Sequence, residues 1–181
     1  YLIHQLKGKV KRYIYISTCS VYDFKQESIG LLKENSPLTT CAEDERTDTT
    51  NATYGKRKVA CEEVLKKAAW LDSIILRPSV IFGQYDFTER YYYWLYRIAD
   101  KQPFLLPENG QQQMTLTYVE DLTNILIQSL DITNHRRIYN ITSHGPETFE
   151  SLLMHIDENL NTMAISRENI NQSEVLRDQI F

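Results

Sequence analysis

The apolar pattern changes period several times along this chain, and each change marks an element. Arg12-Tyr13-Ile14-Tyr15-Ile16-Ser17-Thr18 is short, β-branched or aromatic at its core, and lacks strict alternation. That pattern predicts a strand buried on both faces of a parallel sheet. From about Ala52 to Ala69 the pattern turns helical. Tyr54, Lys58, Cys61 and Leu65 share one side, and Glu62, Glu63, Lys66 and Lys67 lie on or near the outer side. Ser73-Ile74-Ile75-Leu76-Arg77-Pro78 is the next buried strand, followed by a second apolar run, Ser79 to Gly83. Strand, helix and strand of these lengths form a βαβ unit, with parallel pairing and a right-handed crossover. Pro78 has no N–H, so sheet pairing is expected to end or bend there.

Further on, Tyr91, Trp94, Leu95 and Ile98 form an apolar helical stripe, read as core packing or a dimer surface before ring-stacking on a substrate. Pro103 to Pro107 reads as an extended piece, Glu108-Asn109-Gly110 as a turn and Met114 to Val119 as a strand. Glu120-Asp121 opens a helix with Leu122, Ile125, Leu126, Ser129 and Leu130 inward. Arg137 to Ile141 is a strand, and Glu147 to Leu160 a last helix with Phe149, Leu152, Leu153 and Ile156 inward. Residues 23 to 50 make a long polar loop, a length that usually carries function or mobility. Thr49, Thr50 or Asn51 is placed to cap the helix that follows. The chain opens on Tyr1 to Leu6, which reads as the end of an amphipathic helix without an initiating methionine. The expectation is a fragment of a longer protein.

Composition narrows the classes. A chain of 181 residues suits one domain, or one domain with a small lobe. A net charge of −4 with interspersed signs argues against a nucleic-acid footprint. No apolar run is long enough to cross a membrane, and a cytoplasmic location is expected. The three cysteines, Cys19, Cys41 and Cys61, stand at non-motif spacings. They are expected to be free buried thiols, with neither a disulfide framework nor a metal site.

The candidate chemistry centres on Tyr54 and Lys58. Four residues apart on one helical face, they can combine a phenol that gives or takes a proton with an ammonium that stabilises the phenolate. The predicted first strand ends in Ser17-Thr18-Cys19-Ser20, small and mostly hydroxylated residues at its carboxyl end. In open α/β sheets ligands sit outside that end. Arg90, at the start of the aromatic helix, is a ligand candidate because a guanidinium suits a carboxylate or phosphate.

The order of the motifs is recognisable. A strand ending in Ser17-Thr18 and followed by Ser20-Val21-Tyr22, then Tyr54-x-x-x-Lys58, Leu76-Arg77-Pro78 with Phe82-Gly83, Tyr118-Val119-Glu120-Asp121-Leu122 and Tyr139-Asn140-Ile141, resembles the extended short-chain dehydrogenase/reductases. This is the NAD-dependent epimerase/dehydratase group, and the resemblance runs from about residue 8 to residue 160. It implies the second half of a Rossmann-like parallel sheet, formed by 1–83 and about 114–131. A small mixed α/β substrate lobe would take about 84–113 and 132–181. By position it implies Thr18 on the reacting substrate oxygen, Tyr54 as general acid/base and Lys58 on the nicotinamide ribose. Ser17, Pro78, Ser79 and Val80 fall on the cofactor side, and Cys19, Ser20 and Arg90 on the substrate side. The implied cofactor is NAD or NADP.

Two departures qualify the resemblance. The six glycines are isolated, so the glycine-rich turn that grips the pyrophosphate is missing, and the chain alone is expected to be inactive. Cys19 and Ser20 stand where sugar dehydratases of the group carry an Asp-Glu pair. Oxidoreduction or epimerisation at a hydroxyl or carbonyl carbon is therefore preferred to dehydration. The substrate is expected to be a small molecule, with nucleotide sugars one class in view, and a homodimer is an open option. The alternative reading is a dinucleotide sensor or RNA-associated protein on the same fold.

Overall fold

The computed structural model describes residues 2–25, 30–103, 107–133 and 137–162. In chain order its elements are α1 (Leu2–Gln5), β1 (Arg12–Ile16), α2 (Tyr54–Lys67), β2 (Asp72–Pro78), β3 (Val80–Phe82) and α3 (Arg90–Ala99). Then come β4 (Gln113–Met114), β5 (Leu116–Tyr118), α4 (Val119–Gln128), β6 (Ile138–Ile141), β7 (Glu147–Thr148) and α5 (Phe149–Thr162). Most of the expected extended piece at 103–107, Tyr1 and the polar tail after 162 lie outside the described residues.

Two compact units divide the chain, Tyr1–Ser79 with Leu122–Ile141 and Val80–Asp121 with Thr142–Phe181. The expected division placed 80–83 and 114–121 with the sheet, and 132–141 with the lobe. Pairing explains the difference. β3 pairs with β5, both in the second unit, whereas β6 pairs with β2 in the first.

The first unit is an α/β layer structure on a parallel sheet of order β1-β2-β6. Ile14 pairs with Ile74, Ile16 with Leu76, and Pro78 with Ile141. β2 is central, and Ile74, Ile75 and Leu76 are at most 2% exposed. Ile74 and Leu76 pack with Leu122 and Ile141. Ile75 packs with Leu65, Ala68, Leu71 and Ile3. Alternation along β2 thus sends successive side chains into two cores. Arg12 clamps the sheet's start, donating to Asp72 at 2.9 and 2.7 Å and to the Ser129 and Leu130 carbonyls that follow α4.

Several expectations are corrected. β1 is half-buried rather than buried on both faces, with Ile16 exposed, because β2 is its one partner among the described strands. Glu62 is buried, not outward, and Leu130 is exposed beyond the last turn of α4. Cys19 and Cys41 are half-buried and Cys61 is exposed, all as free thiols. The 114–119 strand is two short strands, and α5 begins at Phe149 because Glu147 and Thr148 pair antiparallel with β4. β2 ends at Pro78, which still pairs with Ile141, and the Ser79 N–H that follows makes the last bond to that strand, on the Ile141 carbonyl.

In the second unit α3 packs on α5. Leu95, Phe149, Leu152, Leu153 and Ile156 form its core, with Tyr91, Trp94 and Ile98 against them. The aromatic stripe therefore packs inward, as its spacing predicts. Gly83 has φ +130°, and a Cβ there would lie 2.7 Å from Val119 Cγ1, so both conformation and space demand glycine.

Candidate active site

Tyr54 is the first residue of α2, and the chain reaches it through a short 3-10 turn over Asn51–Thr53. No Thr or Asn side chain caps the helix directly. Asp48 organises the approach instead, accepting from the Thr50 N–H (2.9 Å), the Thr50 hydroxyl (2.7 Å) and the Thr53 hydroxyl (2.8 Å). These bonds hold its carboxyl at about 2, below the usual range. Lys56 and Glu45 form an ion pair that ties the Asp44–Thr47 turn to the same end of α2.

Lys58 lies one turn on. Its Nζ donates to the Ile16 carbonyl at the end of β1 (2.8 Å) and sits 4.7 Å from the Tyr15 ring and 5.9 Å from the Tyr54 ring. Burial lowers its pKa, with Cys61 and Glu62 acting the other way. The Tyr54 side chain is 41% exposed, and its hydroxyl makes no hydrogen bond among the described residues.

A glycine brings this helix onto the strand end. A Cβ on Gly55 would stand 2.0 Å from the Ser20 carbonyl oxygen. Only glycine lets the first turn of α2 approach the Cys19–Val21 turn this closely. Thr18 caps that turn: it is buried, accepts from the Ser20 N–H and donates to the Ser20 hydroxyl, both at 3.2 Å. Tyr54 and Thr18 thus flank one backbone contact, Tyr54 beside Gly55 and Thr18 two residues from Ser20.

Beneath them runs a buried polar network. Arg77 donates to both Glu62 oxygens (2.9 and 2.6 Å), to the Tyr22 hydroxyl (2.9 Å) and to the Glu34 carbonyl (3.1 Å). Ser17 Oγ donates to Glu62 at 2.7 Å, and the Tyr22 hydroxyl donates to Asn140 at 2.5 Å. Asn140 donates in turn to the Leu32 carbonyl and to the Glu34 carboxylate. Burial alone would raise the Glu62 pKa. The hydrogen bonds from Arg77 and Ser17 and the charges of Arg77 and Lys66 outweigh it and leave Glu62 below its ordinary value. Sequence reading missed this network. A signal existed: Glu62 stands four residues after Lys58 and eight after Tyr54, on the same helical side.

The remaining candidates separate. Ser17 is buried, its hydroxyl donates to Glu62 and its N–H donates to the Leu76 carbonyl at 2.6 Å, so it ties the end of β1 to β2 and α2. Pro78 and Ser79 are buried at the end of β2, with the Ser79 N–H on the Ile141 carbonyl. Ser20 is exposed, and burial pushes the half-buried Cys19 thiol up, which keeps it neutral. Val80 and Arg90 belong to the second unit. Among the described residues no three His, Cys, Asp or Glu side chains form a group that could hold a metal, and no helix is long and apolar enough to cross a membrane.

The donor set at α2 fits the ribose end of a nicotinamide cofactor. The Lys58 ammonium has three N–H donors and places one on Ile16, so two remain for a pair of ribose hydroxyls. The exposed Tyr54 hydroxyl is a free donor or acceptor beside it.

The model of the NAD dependent epimerase/dehydratase family matches residues 2–142. Solved structures agree in fold. The UDP-N-acetylglucosamine 4-epimerase of Methanobrevibacter ruminantium M1, in complex with UDP-N-acetylmuramic acid, is similar with a TM-score of 0.70 at 21% identity. That match covers 88% of this chain and 50% of the other. The UDP-glucuronic acid 4-epimerase of Bacillus cereus, in complex with UDP-glucuronic acid and NAD, gives 0.67 at 20% identity, over 87% and 48%. The chain spans about half the length of these structures. No curated protein matches it.

Proposed function

This chain belongs to the NAD-dependent epimerase/dehydratase family, and from that premise we propose that it carries the proton-transfer half of an NAD(P)-dependent oxidoreductase or epimerase. The substrate is a small molecule with a reacting hydroxyl or carbonyl carbon. Nucleotide sugars are the first class to assay, because the similar structures from M. ruminantium and B. cereus hold them.

The observation that carries the reading is the free, exposed Tyr54 hydroxyl at the start of a helix whose Lys58 is tied to the end of β1. Tyr54 takes the hydroxyl proton as the carbinol is oxidised and returns it on reduction. A placed side chain in that role accounts for about 10²–10⁴-fold in rate. Lys58 offers its free N–H groups to the ribose and its positive charge to the phenolate. Thr18 orients the reacting oxygen when its hydroxyl, which otherwise donates to Ser20, turns toward it. Pro78 and Ser79, at the end of β2, contribute backbone at the nicotinamide end. The bound nicotinamide supplies the hydride chemistry, which no side chain can perform.

A decisive assay follows NAD(P)H against sugar nucleotides and small ketones. The chain alone is expected to be inactive, since its glycines form no pyrophosphate cradle. Fused to a glycine-rich nucleotide-binding half it is expected to turn over. Tyr54→Phe in the fusion is expected to lose about 10²–10⁴-fold in kcat. Unchanged turnover in that variant rejects the mechanism.

A further inference from the structure

The second unit contains a cavity of about 700 Å3 beside α3, and we infer that it binds a flat aromatic group carrying a single negative charge. Its volume lies within the roughly 300–1,000 Å3 of small-molecule sites. Phe82, Tyr91, Trp94 and Phe149 line it with rings, and Leu116 and Leu152 add aliphatic wall. The rings hold one another in place. Phe82 and Tyr91 have centroids 4.7 Å apart, and Trp94 meets Phe149 edge-on at 4.8 Å and 79°. Fixed ring faces and edges offer stacking and T-shaped contacts to an aromatic ligand with little loss of side-chain freedom.

The charge comes from Arg90. It is the first residue of α3, it lines the cavity, and it makes no hydrogen bond or ion pair among the described residues. A guanidinium with its donors unspent, at the positive end of a ten-residue helix, favours an anion. It is the one cation among the described lining residues, and Glu89 lines the cavity next to it. One carboxylate suits that balance better than a diphosphate, which would bring two or more charges to a single cation beside an acid.

The unit's other polar groups lie elsewhere. Ser143, His144, Glu147 and His155 line a separate cavity of about 220 Å3. The two cavities share Phe82, Tyr91, Leu116 and Leu152, which form the wall between them. The larger cavity keeps Thr88 and tyrosine hydroxyls and, among its described lining residues, no side-chain amide or histidine to read the edge of a nucleobase. The loop leading to α3 also exposes rings, with Tyr85 88% and Phe87 94% exposed. The inference goes beyond the hydride-transfer reading and does not need it, because binding is measured without cofactor and should be the same in Tyr54→Phe.

The probe is a naphthalene monocarboxylate, with uridine diphosphate for comparison. Binding to the chain is titrated by calorimetry and by tryptophan fluorescence in a Trp70→Phe background, so that Trp94 reports. Saturable naphthalene-carboxylate binding with a Trp94 response is expected, and weaker binding of uridine diphosphate. Arg90→Gln should weaken the carboxylate about tenfold or more through the lost charge-assisted bond. Tyr96→Ala, which removes a solvent-exposed ring of the lining, should also weaken it about tenfold. Both residues are exposed, so circular dichroism is expected to be unchanged. No saturable binding, binding without a Trp94 response, affinity indifferent to Arg90, or tighter binding of uridine diphosphate overturns the inference.

Discussion

Arg77 and Glu62 form a bidentate ion pair at 2.9 and 2.6 Å with both side chains shielded from solvent. The pair joins β2 to α2 one helical turn beyond Lys58, and Ser17 adds a third tie from the end of β1. Lys58 makes the next contact toward Tyr54 through the Ile16 carbonyl. The helix bearing the proposed proton-transfer groups is thus fixed to the strand end at successive turns. The position of Tyr54 follows from Glu62 and Arg77 as much as from its own contacts.

Breaking that pair should be costly. Removing one partner of a buried ion pair leaves the other uncompensated, at about 3–5 kcal/mol. Whole-domain stability is about 5–15 kcal/mol. Glu62→Leu is expected to lose a large part of it in urea unfolding, and Glu62→Leu with Arg77→Leu to recover part. The pH dependence has a definite sign. The folded-state pKa of Glu62 is depressed, so its contribution is present above the ordinary carboxylate value near 4.3 and is lost as pH falls through the lower folded value. The gap between the native protein and Glu62→Gln should close below that pH. A gap that widens on acidification contradicts the assignment.

Gly55→Ala tests the close approach of helix and turn. Alanine favours a helix interior by roughly 0.5–1 kcal/mol over glycine. Here the added methyl would sit 2.0 Å from a backbone oxygen, so sterics outweigh propensity. The variant is expected to lose about 1–3 kcal/mol, the usual range for overpacking, in denaturant unfolding. A gain in stability would show that the first turn of α2 does not rest on Ser20.

Tyr54, Lys58 and the parallel βαβ order are legible in the sequence because helical and buried-strand periodicity are local signals. The inward faces of α3 and α5 are legible for the same reason. Glu62 is legible only by its spacing from Tyr54 and Lys58, because a glutamate beside Glu63, Lys66 and Lys67 reads as solvated until Arg77 arrives from a strand fifteen residues away. The half-exposure of β1 depends on which strands flank it, which no local pattern encodes. The unit boundary after Ser79 depends on β3 choosing β5 as its partner. The roles of Gly55 and Asp48 likewise rest on contacts that emerge only when loop, turn and helix meet.

Asp48 offers a direct titration. Its carboxyl is expected to titrate near pH 2 by carbon-detected NMR, because the Thr50 backbone and hydroxyl and the Thr53 hydroxyl all donate to it. Thr50→Val with Thr53→Val removes the two hydroxyl bonds and should move it up toward the ordinary aspartate value near 3.9. Asp48→Ala should speed amide exchange in the first turn of α2. An Asp48 that titrates normally in the unaltered chain would mean that the Thr50–Thr53 approach is not held in this way.

Lys58→Met separates the lysine's two proposed jobs. The substitution keeps much of the buried stem and removes the ammonium with its bond to Ile16. If Lys58 only braces the helix against β1, the fusion enzyme should lose stability while KM for the nicotinamide cofactor stays constant. If the free N–H groups hold the ribose and the charge supports the Tyr54 phenolate, KM for the cofactor rises and kcat falls together. The kcat profile should then also need a higher pH to reach its plateau, because the phenolate has lost its cation. Lys58→Arg restores charge but not the compact point donor, so it should rescue stability more fully than cofactor affinity. The expected result is the second pattern; a stability loss with cofactor KM and pH profile unmoved would confine Lys58 to bracing the helix.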